Sequence, residues 1–546
     1  MLKLATILDN PGEPSAQTRY RDVKELADLG YNGIVFYGTT GLSGIDSPDS
    51  IDSGEMRRWV AQQQDKLKQQ IEESRDAGMA VYLTYDVLSL ATTIVDEHPG
   101  QYVCRNRPDA LCPASDATLQ RSGKALINLV EQLPHIDGVV LRFGDNDAGR
   151  LPYLVGNDIY SPHCPRCSLL GRADRIVRVL THFHQIVVEQ LDKRLIARAW
   201  NVRPNGLHDS VELCQRVMKR LPGDPKDDRF ILSFKFTQTD FWRYQQWNPS
   251  SLVFGDRPIL YELQCQREFE GKGGIPNWQP PLWRDGHPET DGVGLSEVSG
   301  KVNLAGLWAW VRGGGWGGPF IRNESWIDAN VFAVPRLADD PNTDINTLAD
   351  QWIADRLKIK SDEVAEVVRR ILQSAPQVVL NAFYIGPFAE SRDVPWHPNA
   401  DWVQDDLVDA ESAWRIIQRL PESSFDQVVQ EKQAAATQLS EDRAALHQLV
   451  NDENRNALEP LIHMLQYGES LFSALRDLFA GLIAYRRWQR NKDATDVDQI
   501  KRRLHAAQSH WNQHVQRHAS LQGAATAFRE EHFWELTERI LNDIGG

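Results

Sequence analysis

The chain has 546 residues and a mass of 62.0 kDa, with 75 acidic and 60 basic side chains and a formal net charge of −15. This acid excess argues against a general binder of nucleic acid or anionic membranes, and no apolar run approaches the ~20 residues that span a bilayer. Six cysteines (104, 112, 164, 167, 214 and 265) are few for this length and suit a reducing cytoplasm rather than a disulfide scaffold.

The apolar start is too short for an export signal and reads as a first strand over residues 4–8. Further strands are expected over 33–37 (GIVFY), 81–85 (VYLTY), 139–143 (VVLRF), 195–200 (LIARAW), 230–236 (FILSFKF), 259–263 (ILYEL) and 304–311 (LAGLWAWV). Helical periods separate most of them, over 19–29, 55–77, 119–133, 173–191 and 211–221, with Gly30 and Gly78 as helix stops. Eight short apolar runs alternating with helices predict an α/β fold, a (β/α)8 TIM barrel over residues 1–320. A doubly wound sheet would favour a glycine-rich turn after the first strand. The turn here reads Asp9-Asn10-Pro11-Gly12-Glu13.

From residue 321 the pattern changes to amphipathic helices, over 363–373, 409–420, 427–450, 461–491 and 496–516. Residues 321–546 are therefore expected to form an all-helical C-terminal domain whose charged faces are solvated helix surface.

Active sites of parallel barrels form at the C-terminal ends of the strands. There the sequence offers Tyr85, the run from Arg142 through Asp145, Asn146 and Asp147, then Arg198 with Trp200, Lys235 with Asp240, and Glu262 with Arg267. Trp310 and Trp316 follow at the last strand, Trp316 in a glycine-rich exit. Cations inside apolar strands need anionic partners. The acids Asp147, Asp240 and Glu262 could neutralise Arg142, Arg198 and Lys235 as a structural network. Alternatively the acids are catalytic and the cations bind an anionic substrate group. Carboxylates at several strand ends among many aromatics suit a sugar site, since indole and phenol faces stack on pyranose rings and paired carboxylates serve glycosidic bonds. Of 17 tryptophans, nine fall between Trp200 and Trp326.

By motif order the chain resembles the glycoside hydrolase family 67 α-glucuronidases. Residues 29–35 (LGYNGIV) and 77–83 (AGMAVYL) are similar to the entries of that family's second and third strands. Residues 261–271 (YELQCQREFEG) resemble its seventh-strand motif, and residues 328–341 (DANVFAVPRLADDP) the opening of its helical domain. Lys235 and Asp240, five apart, are similar to its lysine and base aspartate. The resemblance implies an exo-acting enzyme that removes a terminal uronic acid with inversion from an oligosaccharide or small glycoside. It also implies a homodimer joined through the helical domain. Arg142, Arg198 and Lys235 would hold the uronate, Asp147 (or Asp145) would protonate the leaving oxygen, and Asp240 and Glu262 would activate water. That family's N-terminal β domain has no counterpart here. Residues 111–113, 145–147 and 164–167 also look like a pattern of hexosaminidase-like barrels, so another exo-glycosidase, or a barrel that only binds carbohydrate, stays open.

Neither cofactor nor metal is expected. The segment Cys164-Pro165-Arg166-Cys167 is a lone C-x-x-C, and zinc would require a second pair. Cys104 and Cys112 could supply it only if the fold brought them together. His182 and His184, two apart on a helix, face different sides. The triple glycine 313–315 lacks the Lys-Ser/Thr of a phosphate loop.

Overall fold

The computed structural model describes residues 1–9, 15–37, 39–144, 146–160, 163–201, 206–268, 270–290, 292–313, 322–390, 410–519 and 530–545. Eight parallel strands close a barrel: β1 (Leu2–Leu8), β2 (Gly33–Phe36), β3 (Ala80–Asp86), β4 (Gly138–Arg142), β5 (Arg194–Arg198), β6 (Phe230–Lys235), β7 (Pro258–Gln264) and β8 (Asn303–Gly313). Each pairs with its neighbours in sequence, and β8 returns to β1. Burial on both faces explains why these segments are near-continuous apolar runs. The expected (β/α)8 barrel followed by helices is the architecture found.

Local chemistry fixes the connecting helices. Ser53, Ser115 and Ser210 accept from backbone N–H groups as N-caps of Gly54–Asp76, Asp116–Gln132 and Val211–Met218. Gly30 and Gly78 stop their helices with φ of 100° and 75°, a region that glycine enters without Cβ strain. Two expected helices are interrupted. Over 19–29, Asp22 is extended and caps a short helix, Val23–Asp28, after a separate 3₁₀ turn at Arg19–Arg21. Over 173–191, the α-helix Arg172–His184 passes into a π segment, Gln185–Gln190.

Periodicity gave no warning of the excursions after β3 and β4. Ser89–Ala91, Leu154–Gly156, Arg107–Leu111 and Val103–Cys104 form a second, four-stranded sheet in that order. Its strands are two to five residues long, below the length at which alternation can be read.

After β8, helix Ile327–Asp339 packs on the barrel: the Tyr31 hydroxyl donates to the Val331 carbonyl at 2.8 Å, and Lys3 pairs with Asp339 at 3.0 Å. The helices Ile345–Asp355, Asp362–Phe383, Gly386–Glu390, Ala410–Arg419, Phe425–Gln448, Arg455–Asn491, Ala494–Arg517 and Glu530–Asp543 follow. The longest, Arg455–Asn491, buries Leu461, Leu465, Phe472, Leu475, Phe479 and Leu482 at three- and four-residue spacing. Among the described residues no helix is long and apolar enough to cross a membrane.

A buried carboxylate ties the barrel to the helices. Glu270, in the loop after β7, accepts from Arg267 (2.9 and 2.5 Å), from Asn277 (2.8 Å) and from the Tyr384 hydroxyl (2.9 Å) just past helix Asp362–Phe383. Burial pushes this carboxyl up, but the charge and hydrogen bonds of Arg267, the charge of Arg243 and the Asn277 N–H outweigh it and hold the group down to about 2. A carboxyl lowered in the folded state stabilises fully above its unfolded value near 4.5, and that stability is lost as pH falls toward 2. The contribution is on the order of 3 kcal/mol. Denaturant midpoints of Glu270→Gln are therefore expected to be lowered at pH 7 and to show a flatter fall between pH 7 and 3 than those of the parent chain. Equal acid slopes in the two proteins would exclude Glu270 as the source.

Candidate active site

The barrel register stacks the polar residues of the strand ends. Asp86, Arg142, Arg198 and Ser233 occupy matched positions on β3, β4, β5 and β6. Lys235, Glu262 and Trp308 occupy the next row on β6, β7 and β8. Matched residues on neighbouring parallel strands share a face, so both rows line the barrel interior toward its C-terminal end.

Each interior cation has a carboxylate. Arg142 donates to Asp147 at 2.7 Å, lies 3.5 Å from Asp86, and covers the Tyr37 ring at 4.7 Å. The Arg198 Nε is 3.0 Å from both Glu262 oxygens, and its terminal nitrogen donates to the Tyr37 hydroxyl at 2.8 Å. Ser233 also donates to Glu262, at 2.9 Å. Lys235 pairs with Asp240, and its ammonium faces the rings of Trp200 (3.9 Å), Phe241 (4.6 Å) and Trp310 (4.7 Å). The carboxylates that meet these cations are Asp86, Asp147, Asp240 and Glu262, and Asp147 is also 3.5 Å from the half-exposed Arg150.

The carboxylates differ in access. The Glu262 side chain is 0% exposed, whereas Asp147 retains 12% and Asp240 19%. Both accessible acids lie on segments that follow a strand, not on the strand itself. The turn holding Asp240 carries left-handed backbone at Asp240 (φ 40°), Phe241 (φ 65°) and Tyr244 (φ 57°). Positive φ is uncommon for bulky side chains, and such strain collects at functional sites. The indole N–H groups of Trp308 and Trp310 are buried with no hydrogen-bond partner among the described residues.

The structure therefore brings together Arg142, Arg198, Lys235, Asp147, Asp240, Glu262, Trp200 and Trp310. Three further expected site residues are committed elsewhere. Tyr85 points between barrel and helices, where its hydroxyl donates to the Ser122 carbonyl at 2.7 Å and accepts from the Gly44 N–H. Strand alternation puts its neighbour Asp86 inside instead. Asn146 braces its own loop, donating to the Leu88 carbonyl and accepting from the Ala148 N–H, both at 2.8 Å. Arg267 holds Glu270 at the seam with the helices. Asp145 and Trp316 lie outside the described residues. Sequence reasoning missed Asp86, Tyr37 and Ser233. Asp86 carried a readable signal, the period of two along β3, and Tyr37 closed an expected strand.

A closed eight-stranded parallel barrel with carboxylates and aromatics at its C-terminal end, followed by a helical region, defines the class as a (β/α)8 barrel protein. Among solved structures it is similar to a GH138 enzyme targeting pectin rhamnogalacturonan II, with a TM-score of 0.58 and 11% identity over 100% of this chain and 83% of that one. A Thermobaculum terrenum O-GlcNAc hydrolase aligns with a TM-score of 0.45 and 9% identity, over 100% of this chain and 94% of its own. CpGH84B aligns at 0.42 and 9%, over 100% of this chain and 76% of its own. At such identities the likeness is one of fold. The sequence matches no protein-family profile and no curated protein.

Proposed function

We propose that the chain is an exo-acting glycoside hydrolase, with Asp147 as acid and Asp240 as base, and that its substrate ends in a uronic acid. The observation that carries this reading is the partition of the interior carboxylates. Two are fully buried and two keep access at the mouth, one of them, Asp240, on a strained turn and paired with a lysine that faces the Trp200 and Trp310 rings. A purely structural ion network has no use for that strain, or for buried indole donors that a sugar hydroxyl would satisfy. The GH138 neighbour, which acts on pectin rhamnogalacturonan II, supports carbohydrate as the substrate class.

The buried cations Arg142, Arg198 and Lys235 support the acidic sugar. Arg142 binds Asp147 at 2.7 Å. As general acid, Asp147 turns its carboxyl from Arg142 toward the leaving oxygen of the glycosidic bond. That exchange leaves the Arg142 guanidinium to a substrate carboxylate. Asp240, held by Lys235, deprotonates the attacking water on the other side of the sugar. Glu262 enters as the group that fixes Arg198, because its oxygens are occupied by Arg198 and Ser233.

A panel of aryl glycosides tests the reading. Hydrolysis of the α-glucuronide, with neutral hexosides and N-acetylhexosaminides at least tenfold slower, is expected. Preference for a neutral or N-acetylated sugar would overturn the uronate assignment and keep the glycosidase. Sugar binding without turnover on any aryl glycoside would make the barrel a carbohydrate-binding module.

A further inference from the structure

Four of the six cysteines converge at one point of the excursions beside the barrel mouth. Cys104 ends the strand Val103–Cys104, and Cys112 follows its hairpin partner Arg107–Leu111. After β4 the chain returns, placing Cys164 at the N-cap of the short helix Pro165–Ser168 and Cys167 within it. The Sγ atoms are 3.5 Å apart for Cys164–Cys167, 3.7 Å for Cys112–Cys164 and 3.8 Å for Cys104–Cys167, and all four lie within 4.8 Å of one another.

We propose that Cys104, Cys112, Cys164 and Cys167 together bind one structural zinc ion in a four-cysteine site. Zinc–thiolate bonds of about 2.3 Å in a tetrahedron set sulfur–sulfur edges near ~3.8 Å, and the three contacts fall within a few tenths of that. A disulfide would bring two sulfurs to about 2.05 Å. The four side chains form their own buried cluster, separate from the main apolar core, with Ala114 the apolar residue packed against it. Four buried thiols hold one another only by weak S–H contacts. Four thiolates around a dication gain a great deal, since metal binding adds directly to folding free energy.

The surroundings suit thiolates. The backbone N–H groups of His163 and Cys164 donate to the Cys167 sulfur at 3.1 and 3.3 Å. Hydrogen bonds to coordinating sulfur are the usual second layer of such sites. Zinc with four thiolates carries two net negative charges. Arg166, between the two cysteines of the C-x-x-C, donates to the Val103 carbonyl at 3.0 Å and so spans both halves of the cluster. Arg175 ties down the backbone around it through the carbonyls of Ile159, Tyr160, Cys167 and Leu170. The expectation of a lone C-x-x-C is thus corrected: the hairpin after β3 supplies the second pair. All four positions are filled by protein, so the ion has no open site for substrate. Its work is to clip the β3 excursion to the β4 excursion, which carries Asp147.

The test is metal analysis of the full chain, grown with zinc and purified without chelators. One zinc per chain is expected. Titration with an organomercurial thiol reagent should release it to a colorimetric zinc indicator as the fourth thiol reacts. Cys164→Ser and Cys167→Ser should lose the zinc, while Cys214→Ser, a buried cysteine outside the cluster, should retain it. If the cluster variants fail to fold, release from the parent chain decides alone. Cobalt substitution should give the intense visible bands of a tetrahedral thiolate site. Zinc well below one per chain with four reactive thiols, two disulfides in the purified protein, or iron in place of zinc would each overturn the assignment.

Discussion

Asp240→Asn is expected to lower kcat on the preferred glycoside by on the order of 10²–10⁴-fold, the range over which a positioned general base acts. Sugar binding, followed by the tryptophan fluorescence of a substrate analogue titration, should remain within a few-fold of the parent. The substitution isolates charge from shape. Asp240 sits at φ 40°, and asparagine enters that region as readily as aspartate. The turn should therefore keep its form. What is lost is the carboxylate facing Lys235 at the mouth, while the ammonium keeps the rings of Trp200, Phe241 and Trp310. Alanine would be a poorer probe, because it adds backbone strain to the loss of charge. Turnover within threefold of the parent would remove Asp240 from the reaction and leave Lys235–Asp240 as a structural pair.

The parts of this site that could be read from sequence share one physical property. Arg142, Arg198 and Lys235 stand inside apolar strands where a cation is costly, so each advertised a partner before any fold was known. The strands themselves were legible because double-sided burial makes them short continuous apolar runs. What stayed hidden depended on relations between distant segments. Tyr37 meets Arg142 and Arg198 only through barrel closure. Cys104 and Cys112 meet Cys164 and Cys167 only because the excursions after β3 and β4 share a small sheet. Tyr85 and Asp86 are a different case. Alternation along Ala80–Asp86 already assigns them to opposite faces, and the acid, not the phenol, belongs to the interior. Arg267 could not be distinguished by type from the interior arginines, since its partner Glu270, three residues on, lies outside any strand.

Glu262→Gln is expected to cost about 3–5 kcal/mol of stability, read as a lower denaturant midpoint, because it takes a bidentate carboxylate away from a buried guanidinium. The Arg198 side chain is 1% exposed, and its Nε lies 3.0 Å from both oxygens of a carboxylate with no exposure at all. The neutral amide can accept from Arg198 and Ser233 but cannot balance the charge. Replacing both partners, Arg198→Met with Glu262→Leu, should recover most of the loss, since a buried pair exchanged for apolar side chains of similar volume is often near neutral in stability. The double variant should nonetheless remain impaired in turnover, because the lumen would lose the group that Tyr37 and Trp310 pack against. The alternative is that Glu262 shares in activating water, as the resemblance to the family 67 enzymes implies. In that case Glu262→Gln would be inert yet as stable as the parent, and the double variant would bring no recovery. The two measurements therefore separate an anchor from a base, since only an anchor couples its loss to Arg198.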